Sequence, residues 1–251
     1  MGTIVTFDLY DDDTASDKVV LFLKEAVAVL HEADDVFSTY KEHSPLSRLR
    51  RGEITLEECP REVGEVLELC KTARTISDGW FDPWSMPGGV DPTGYVKGWA
   101  AQRALEQLRA GPVCAAMVNA AGDLVCFGVP HPGELFRAGI VDPFRIDSLV
   151  ALADLRAALA TSGTYERGAH LIDPFTGRAD ARLASASVSG PDLGMCDALA
   201  TALCVAGEEM LATIDSLAGY EAFVVGLDGT RRWTTGFALA GVTDYDPTAA
   251  G

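Results

Sequence analysis

The chain has 251 residues, 48% of them apolar, 23% charged and 8% aromatic, which suits one large or two small folded domains and excludes the disordered and fibrous classes. Its 37 Asp and Glu against 20 Lys and Arg give a formal net charge of −17, a field that repels nucleic acid and anionic lipid surfaces. No apolar run approaches the ~18 residues that cross a bilayer, and Met1 to Asp8 lacks the basic and long apolar regions of a secretory leader.

Thr3 to Tyr10 reads as a strand running into the acidic turn Asp11-Asp12-Asp13. Met1-Gly2 with Thr6 also fits the loose myristoylation pattern, which is equally the start of that strand. Val19, Leu23, Ala26, Val27 and Leu30 recur at helical spacing, predicting an amphipathic helix over 17–35. A second helix is expected after Pro60, with Val63, Val66, Leu67, Cys70 and Ala73 on one face and a stop near Asp78-Gly79. A third starts near Lys97 and stops at Gly111-Pro112. Val113 to Asn119, the turn Ala120-Ala121-Gly122 and Asp123 to Phe127 form a hairpin. Further strands are expected at Phe136 to Val141, Leu159 to Thr164 and Leu183 to Ser189, then a helix over 195–218 broken at Gly207. Ala222 to Gly226, Asp228-Gly229 and Arg231 to Thr235 read as a last hairpin, before a tail that frays after Asp244. Hairpins separated by long helices indicate an α+β chain.

The six cysteines form no C-x-x-C pair and no zinc-ligand spacing with the four histidines. Most lie among apolar neighbours, where a free thiol behaves as a small hydrophobe and a reducing cytoplasm is the simplest setting.

Four segments could carry chemistry. Charge is uneven: nine acids against two bases in residues 1–35, then Lys41, Arg48, Arg50 and Arg51 against Glu42 in 36–52. This second stretch, Phe37 to Arg48, mixes hydroxyls, an aromatic and cations in a loop of the kind that suits nucleotides; the alternative is a solvated turn, since loop polarity is common. Gly88 to Gly98 is a glycine-bearing loop feeding a helix, where backbone N–H groups and Lys97 could meet a phosphate, although it matches neither the P-loop nor G-x-G-x-x-G. Asp197 and Thr201 lie four apart on one helix face, oxygen ligands of the kind Mg²⁺ takes; the alternative is a carboxylate at the helix N-terminus and a hydroxyl bonded back to a carbonyl. His170 follows the small polar run Thr161 to Tyr165, as a structural histidine or a base. No serine stands in a G-x-S-x-G elbow.

Taken in order, these segments resemble the ApbE family, the FAD:protein FMN transferases. Met1-Gly2-Thr3 is similar to its opening M-G-T. Phe37 to Tyr40 with Ser44 to Leu49 resembles S-x-Y followed by S-x-x-S-x-x-N, with Arg50 where Asn is usual. Asp78 to Pro83 resembles G-x-F-D-P, Asp91 to Ala100 resembles D-L-G-G-I-A-K-G-Y-A, and Asn119 to Asp123 resembles N-x-G-G-D with Ala121 for one Gly. Thr161-Ser162-Gly163 with His170 to Gly177 resembles T-S-G then H-x-I-D-P-x-T-G, and Asp197 to Thr201 matches D-A-x-x-T. The resemblance covers nearly the whole chain.

It implies an ApbE-like α+β fold of antiparallel sheets packed with helices, a T-fold-like duplication, as one domain over 1–245 with a tail at 246–251. It implies cleavage of the FAD pyrophosphate and attachment of FMN through a phosphodiester bond to a Ser or Thr of a target flavoprotein, with release of AMP. By position, Asp197, Thr201 and the Gly94 carbonyl would hold Mg²⁺; Met1, Tyr40, Trp84, Ser85, Met86, Asp91, Lys97, Leu171 and Ile172 would line the FAD site; His170 is the candidate for the acceptor proton. Mg²⁺ and Lys97 would offset pyrophosphate charge. The alternatives are an FAD pyrophosphatase with water as acceptor and a flavin-binding carrier without catalysis. Many relatives are exported lipoproteins; as this sequence starts at the first motif, a cytoplasmic location is expected unless an export segment precedes it.

Overall fold

The computed structural model describes residues 3–10, 16–164 and 171–242. The expected acidic turn at Asp11 to Asp13 and the tail at 246–251 lie outside the described residues, as do Met1 and His170.

Among the described residues ten strands and six α-helices follow in order: β1 (Val5–Tyr10), α1 (Asp17–Phe37), α2 (Pro45–Arg50), α3 (Arg61–Ile76), α4 (Thr93–Ala110), β2 (Ala115–Ala120), β3 (Asp123–Phe127), β4 (Phe136–Asp142), β5 (Arg145–Leu155), β6 (Ala158–Gly163), β7 (Leu183–Gly190), α5 (Leu193–Ala206), α6 (Leu211–Asp215), β8 (Glu221–Gly226), β9 (Arg231–Trp233) and β10 (Leu239–Val242). Seven strands form one antiparallel sheet in the order β1-β2-β3-β6-β7-β8-β9, and β10-β5-β4 form a second, three-stranded sheet.

Side-chain alternation across the large sheet builds a core on each face. On β3, Val125 joins the helices while Leu124 and Cys126 join the small sheet; on β8, Ala222 and Val224 face the helices while Phe223 and Val225 face the small sheet. The protein is therefore helix layer, seven-stranded sheet, three-stranded sheet, an α+β arrangement as expected.

Local chemistry explains where the expectations shift. The helix expected from Lys97 begins at Thr93, because the Asp91 carboxylate accepts its N–H at 3.1 Å. The helix expected from 195 begins at Leu193, where Asp192 accepts the Met195 N–H at 2.6 Å, and ends at Ala206, before Gly207 with φ +89°. Beyond Gly207 stand only a 3-10 turn, Glu208–Met210, and the short α6. The stretch around Ser44, read as loop, contains α2: Ser44 caps it by accepting the Ser47 N–H at 3.0 Å, and Pro45 sits in its first turn. Strands β5 and β10 had no sequence signal; β5 pairs with β4 across the tight turn at Asp142, whose carboxylate accepts the Phe144 N–H at 2.9 Å.

α5 is buried along its length apart from Thr201, as a helix apolar all round must be. Its N-terminus crosses α4 with almost nothing between the backbones. A Cβ on Gly98 would stand 2.5 Å from the Leu193 carbonyl oxygen, and one on Gly194 would stand 2.5 Å from the Tyr95 ring. Two hydrogen bonds fix the crossing: the Tyr95 hydroxyl donates to Asp192 at 3.1 Å, and the Leu193 N–H donates to the Gln102 side chain at 2.7 Å. Burial, with the Asp192 carboxylate beside it, pushes the Tyr95 phenol far up, so it stays a donor.

The six cysteines stand as free thiols, and burial pushes those of Cys70 and Cys126 up to about 12. Among the described residues no helix is long and apolar enough to cross a membrane.

The crossing yields a direct expectation. Gly98→Ala forces α4 and α5 apart at a backbone atom that cannot yield, an overpacking cost of roughly 1–3 kcal/mol or about 3–10 °C in Tm for a chain of this size. Thermal unfolding followed by circular dichroism checks it, and an unchanged Tm would show that the crossing tolerates a methyl group.

Candidate functional site

A cleft opens where α1, the Asp82–Gly94 segment, α4, β6 and α5 converge. At its floor, one residue from each of α4, β3 and α5 forms a charged cluster. The Lys97 ammonium lies 2.7 Å from an Asp123 carboxylate oxygen and 3.9 Å from one of Asp197. The carboxylate side chains are 1% and 6% exposed and the lysine 20%. One helical turn beyond Asp197, the Thr201 hydroxyl sits 3.1 Å from that of Ser162 on β6.

Backbone geometry sets each member. Asp123 opens β3 after a tight turn in which Ala121 has φ +52° and Gly122 φ +97°, and Asn119 accepts the Gly122 N–H at 2.8 Å. This is the N-x-A-G-D segment, with Ala121 in a left-handed conformation that glycine adopts more readily. The other Asp123 oxygen accepts the Thr161 N–H at 3.2 Å, and the Thr161 hydroxyl is 2.8 Å from that of Ser187. The alternative of Asp197 as a carboxylate at the helix N-terminus does not hold, since Asp197 stands in the second turn of α5 and Asp192 caps that end.

Two carboxylates face one ammonium in a dry setting. Burial raises the Asp123 carboxyl above its ordinary range, opposed by the Lys97 charge and by hydrogen bonds from the Lys97 ammonium and the Thr161 N–H. Buried carboxylates of this kind are stabilised by a proton or a nearby cation. Among the described residues no three His, Cys, Asp or Glu side chains come together as a metal cage. One accessible carboxylate with hydroxyls suits a hard cation that keeps water and substrate oxygens as its remaining ligands.

The walls are loops held from behind. The Ser38 carbonyl accepts the hydroxyls of Ser44 at 2.6 Å and Ser47 at 3.0 Å, while its own hydroxyl accepts the Tyr40 and Lys41 N–H groups. This knot presents Thr39 and Tyr40 to the cleft. The four cations of the basic stretch are all taken up internally: Lys41 by Asp34 and Asp35, Arg48 and Arg51 by Glu53, Arg50 by Asp91. None of the four lines the cleft, where Lys97 is the one cation among the described residues. On the far side Asp173, buried, accepts the Phe175 and Thr176 N–H groups at 2.8 and 3.2 Å. Its turn sets the Phe175 ring edge-on against Trp80 at 4.7 Å, with the Arg182 guanidinium 4.8 Å from the Trp80 ring.

Of the residues singled out from sequence, Tyr40, Met86, Asp91, Gly94, Lys97, Leu171, Ile172, Asp197 and Thr201 all line the cleft. Trp84 and Ser85 do not: they form a 3-10 turn over Asp82, which accepts the Trp84 N–H at 3.0 Å and, through its carbonyl, the Ser85 hydroxyl at 2.9 Å. Asp123 and Ser162 were not assigned a role, although both stood in motifs; the last residue of N-x-A-G-D and the middle of T-S-G were their only signals.

A family model described as the ApbE family matches residues 1–89 and 85–224. A Rhodobacter capsulatus protein named FAD:protein FMN transferase is 39% identical over 130 residues, 48% of this chain and 24% of that protein. One of the same name from Vibrio cholerae is 32% identical over 133 residues, 48% of this chain and 39% of that protein. The match thus spans well under half the length of either relative. The solved structure of Flavin Transferase ApbE from Vibrio cholerae superposes with TM-score 0.82 over 94% of each chain at 21% identity. That of Pseudomonas stutzeri flavinyl transferase ApbE, apo form, gives 0.80 over 96% of this chain and 95% of that one at 23% identity. These likenesses establish the fold.

The floor makes a signed prediction. A carboxyl whose folded pKa lies above its unfolded value contributes stability at low pH and loses it as pH rises through the folded value. Lys97→Met removes the ammonium that opposes the rise at Asp123, so the variant loses more stability than the wild type on going from acid to alkaline conditions. The expected gap is roughly 2–4 kcal/mol at pH 8, less than for a fully buried pair, and narrower at pH 5. Urea unfolding at the two pH values measures it; a gap independent of pH would overturn the electrostatic account.

Proposed function

The chain belongs to the ApbE family, and from that premise we propose that it is a Mg²⁺-dependent FAD:protein FMN transferase, with residues 1–245 as one transferase domain. The observation that carries the reading is the floor of the cleft: Lys97, Asp123 and Asp197 in one buried cluster beside the Thr201 and Ser162 hydroxyls. The names of the curated relatives supply the chemistry it fits.

In the proposed reaction a Ser or Thr hydroxyl of a target flavoprotein attacks the FMN-side phosphorus of FAD. The new O–P bond forms as the pyrophosphate P–O bond breaks, AMP leaves with the bridging oxygen, and the hydroxyl proton passes to a base. His170 is assigned that base from its motif alone. Asp197 and Thr201, with the Gly94 carbonyl, would hold Mg²⁺, which when bound neutralises phosphate charge and stabilises the leaving oxygen. The fit rests on the donor set, a nearly buried carboxylate and a hydroxyl one turn apart on a rigid helix. Lys97 adds a positive charge to the pyrophosphate while Asp123 holds the ammonium in place. Tyr40, Trp80 and Phe81 supply apolar surface for the ring systems, and the lining segments orient the dinucleotide so that the hydroxyl approaches in line.

The decisive experiment mixes the protein with FAD, Mg²⁺ and a Ser/Thr-bearing flavoprotein and weighs the acceptor. A covalent gain of the mass of FMN is expected; free FMN and AMP alone would instead support the pyrophosphatase, and FAD bound but unchanged would support a carrier. Asp197→Asn is expected to lower transfer at least about 100-fold, as removal of a charged group acting on the transferring phosphoryl does. In the wild type Mg²⁺ raises the Tm, by linkage to the folded state, and in Asp197→Asn it does not. An equal Mg²⁺ shift in both proteins would remove Asp197 as a ligand.

A further inference from the structure

The departure at Arg50 has a structural partner set of its own. Its guanidinium stands at the C-terminal end of α2 and uses all three nitrogens: Nη1 donates to Asp91 at 2.9 Å, Nη2 to the Pro87 carbonyl at 2.9 Å, and Nε to the Gly88 carbonyl at 3.2 Å. The Arg50 and Asp91 side chains are 15% and 18% exposed. Gly88 has φ +81°, and a Cβ there would come within 2.9 Å of Nη2, so this glycine admits the guanidinium as well as the turn. Asp91 in turn uses its second oxygen to accept the Thr93 N–H at 3.1 Å, at the first turn of α4. A single side chain from α2 thus fixes the Pro87–Asp91 loop and, through Asp91, the start of the helix that carries Gly94 and Lys97.

We propose that Arg50 is a positioning residue that clamps the Pro87–Asp91 wall of the cleft from behind and holds it in register with α4. It acts on ligand binding and not on the chemical step, because it does not itself line the cleft. Two effects follow from its geometry. It ties α2, whose N-terminal serine helps knot the Thr39-Tyr40 wall, to the wall containing Met86 and Asp91, so the two lining segments keep a fixed spacing. It also places a positive charge on Asp91, which without it would face an anionic ligand as an uncompensated carboxylate. A lysine cannot substitute fully: a single ammonium keeps the charge but lacks the planar fork that serves a carboxylate and two carbonyls at once.

The consequence for FAD rests on the transferase reading, so the test has one arm that needs no ligand. Hydrogen exchange of the unliganded protein, read by mass spectrometry over residues 86–95, is expected to run at least about 10-fold faster in Arg50→Ala, because opening of the loop then breaks three fewer hydrogen bonds. Exchange unchanged from the wild type would overturn the clamp whatever the protein binds. The second arm measures FAD binding and turnover. Arg50→Ala is expected to raise the FAD Kd and KM roughly 10- to 100-fold with kcat within about threefold, the signature of lost binding common to ground and transition states. Arg50→Lys should fall between Arg50→Ala and the wild type in both arms. A fall in kcat at unchanged KM, or a loss of Tm without faster local exchange, would overturn the positioning role. Absence of FAD binding in the wild type would sink the transferase reading and leave the exchange arm to decide the clamp.

Discussion

The near-contact of α4 and α5 is the constraint on which the site depends. Gly98 lets the α5 backbone approach α4 directly and Gly194 makes room for the Tyr95 ring, so close helix packing brings Lys97 and Asp197 within reach of each other. The same crossing is fixed at its edge by Tyr95 to Asp192 and Gln102 to the Leu193 N–H. α5 then lies on the large sheet over β6 and β7, whose helix-facing positions Ala158, Ala160, Ala186 and Val188 are small or compact, and this sets Thr201 against Ser162. A strand from the same sheet delivers Asp123. Three elements distant in sequence thus meet at one point because each is buried on the side away from the cleft.

Charge acquires meaning only once it is located. A field of −17 repels a dinucleotide in general, and the basic stretch after residue 36 is the one local excess of positive charge near the N-terminus. Its cations are instead engaged with Asp34, Asp35, Glu53 and Asp91. The exposed pairs at Arg48 and Arg51 add little stability, Arg50 is held in its own hydrogen-bonded set, and none of the four cations lines the cleft. What remains is a floor with one ammonium and two carboxylates, where a cation arriving with the ligand would help more than further arginines.

Much of this was legible in the sequence for identifiable reasons. Long elements with clear periodicity, such as α1 and α3, and hairpins punctuated by glycine, such as β2–β3, stood where the pattern put them. The four-residue spacing of Asp197 and Thr201 put both side chains on one helix face, and both line the cleft. The misses are also physical. α2 has six residues, too few for a period to show, and announced itself only by its Ser-Pro cap. β5 reads Leu-Val-Ala-Leu-Ala, where propensity does not favour a strand; pairing with β4 and burial against the large sheet decide it. Asp123 stood in the N-x-A-G-D motif but drew no role, because its partner Lys97 lies on another element. Likewise, nothing in the order of residues says that Arg50 and Asp91 are paired across 41 positions.

The serine knot behind the Thr39-Tyr40 wall changes how substitutions in this region should be read. Ser44 and Ser47 look in sequence like hydroxyls ready to meet a phosphate, yet both donate to the carbonyl of Ser38, and among the described lining residues neither faces the cleft. Replacing either by alanine would leave a buried carbonyl short of a donor and let the wall shift. A mutational scan scored on turnover would then rank them beside Lys97 and Asp197, and a deep-sequencing heat map would show one continuous patch of intolerance. Only half of that patch would be chemistry; the other half would be backbone tailoring, and a stability-scored scan would separate the two.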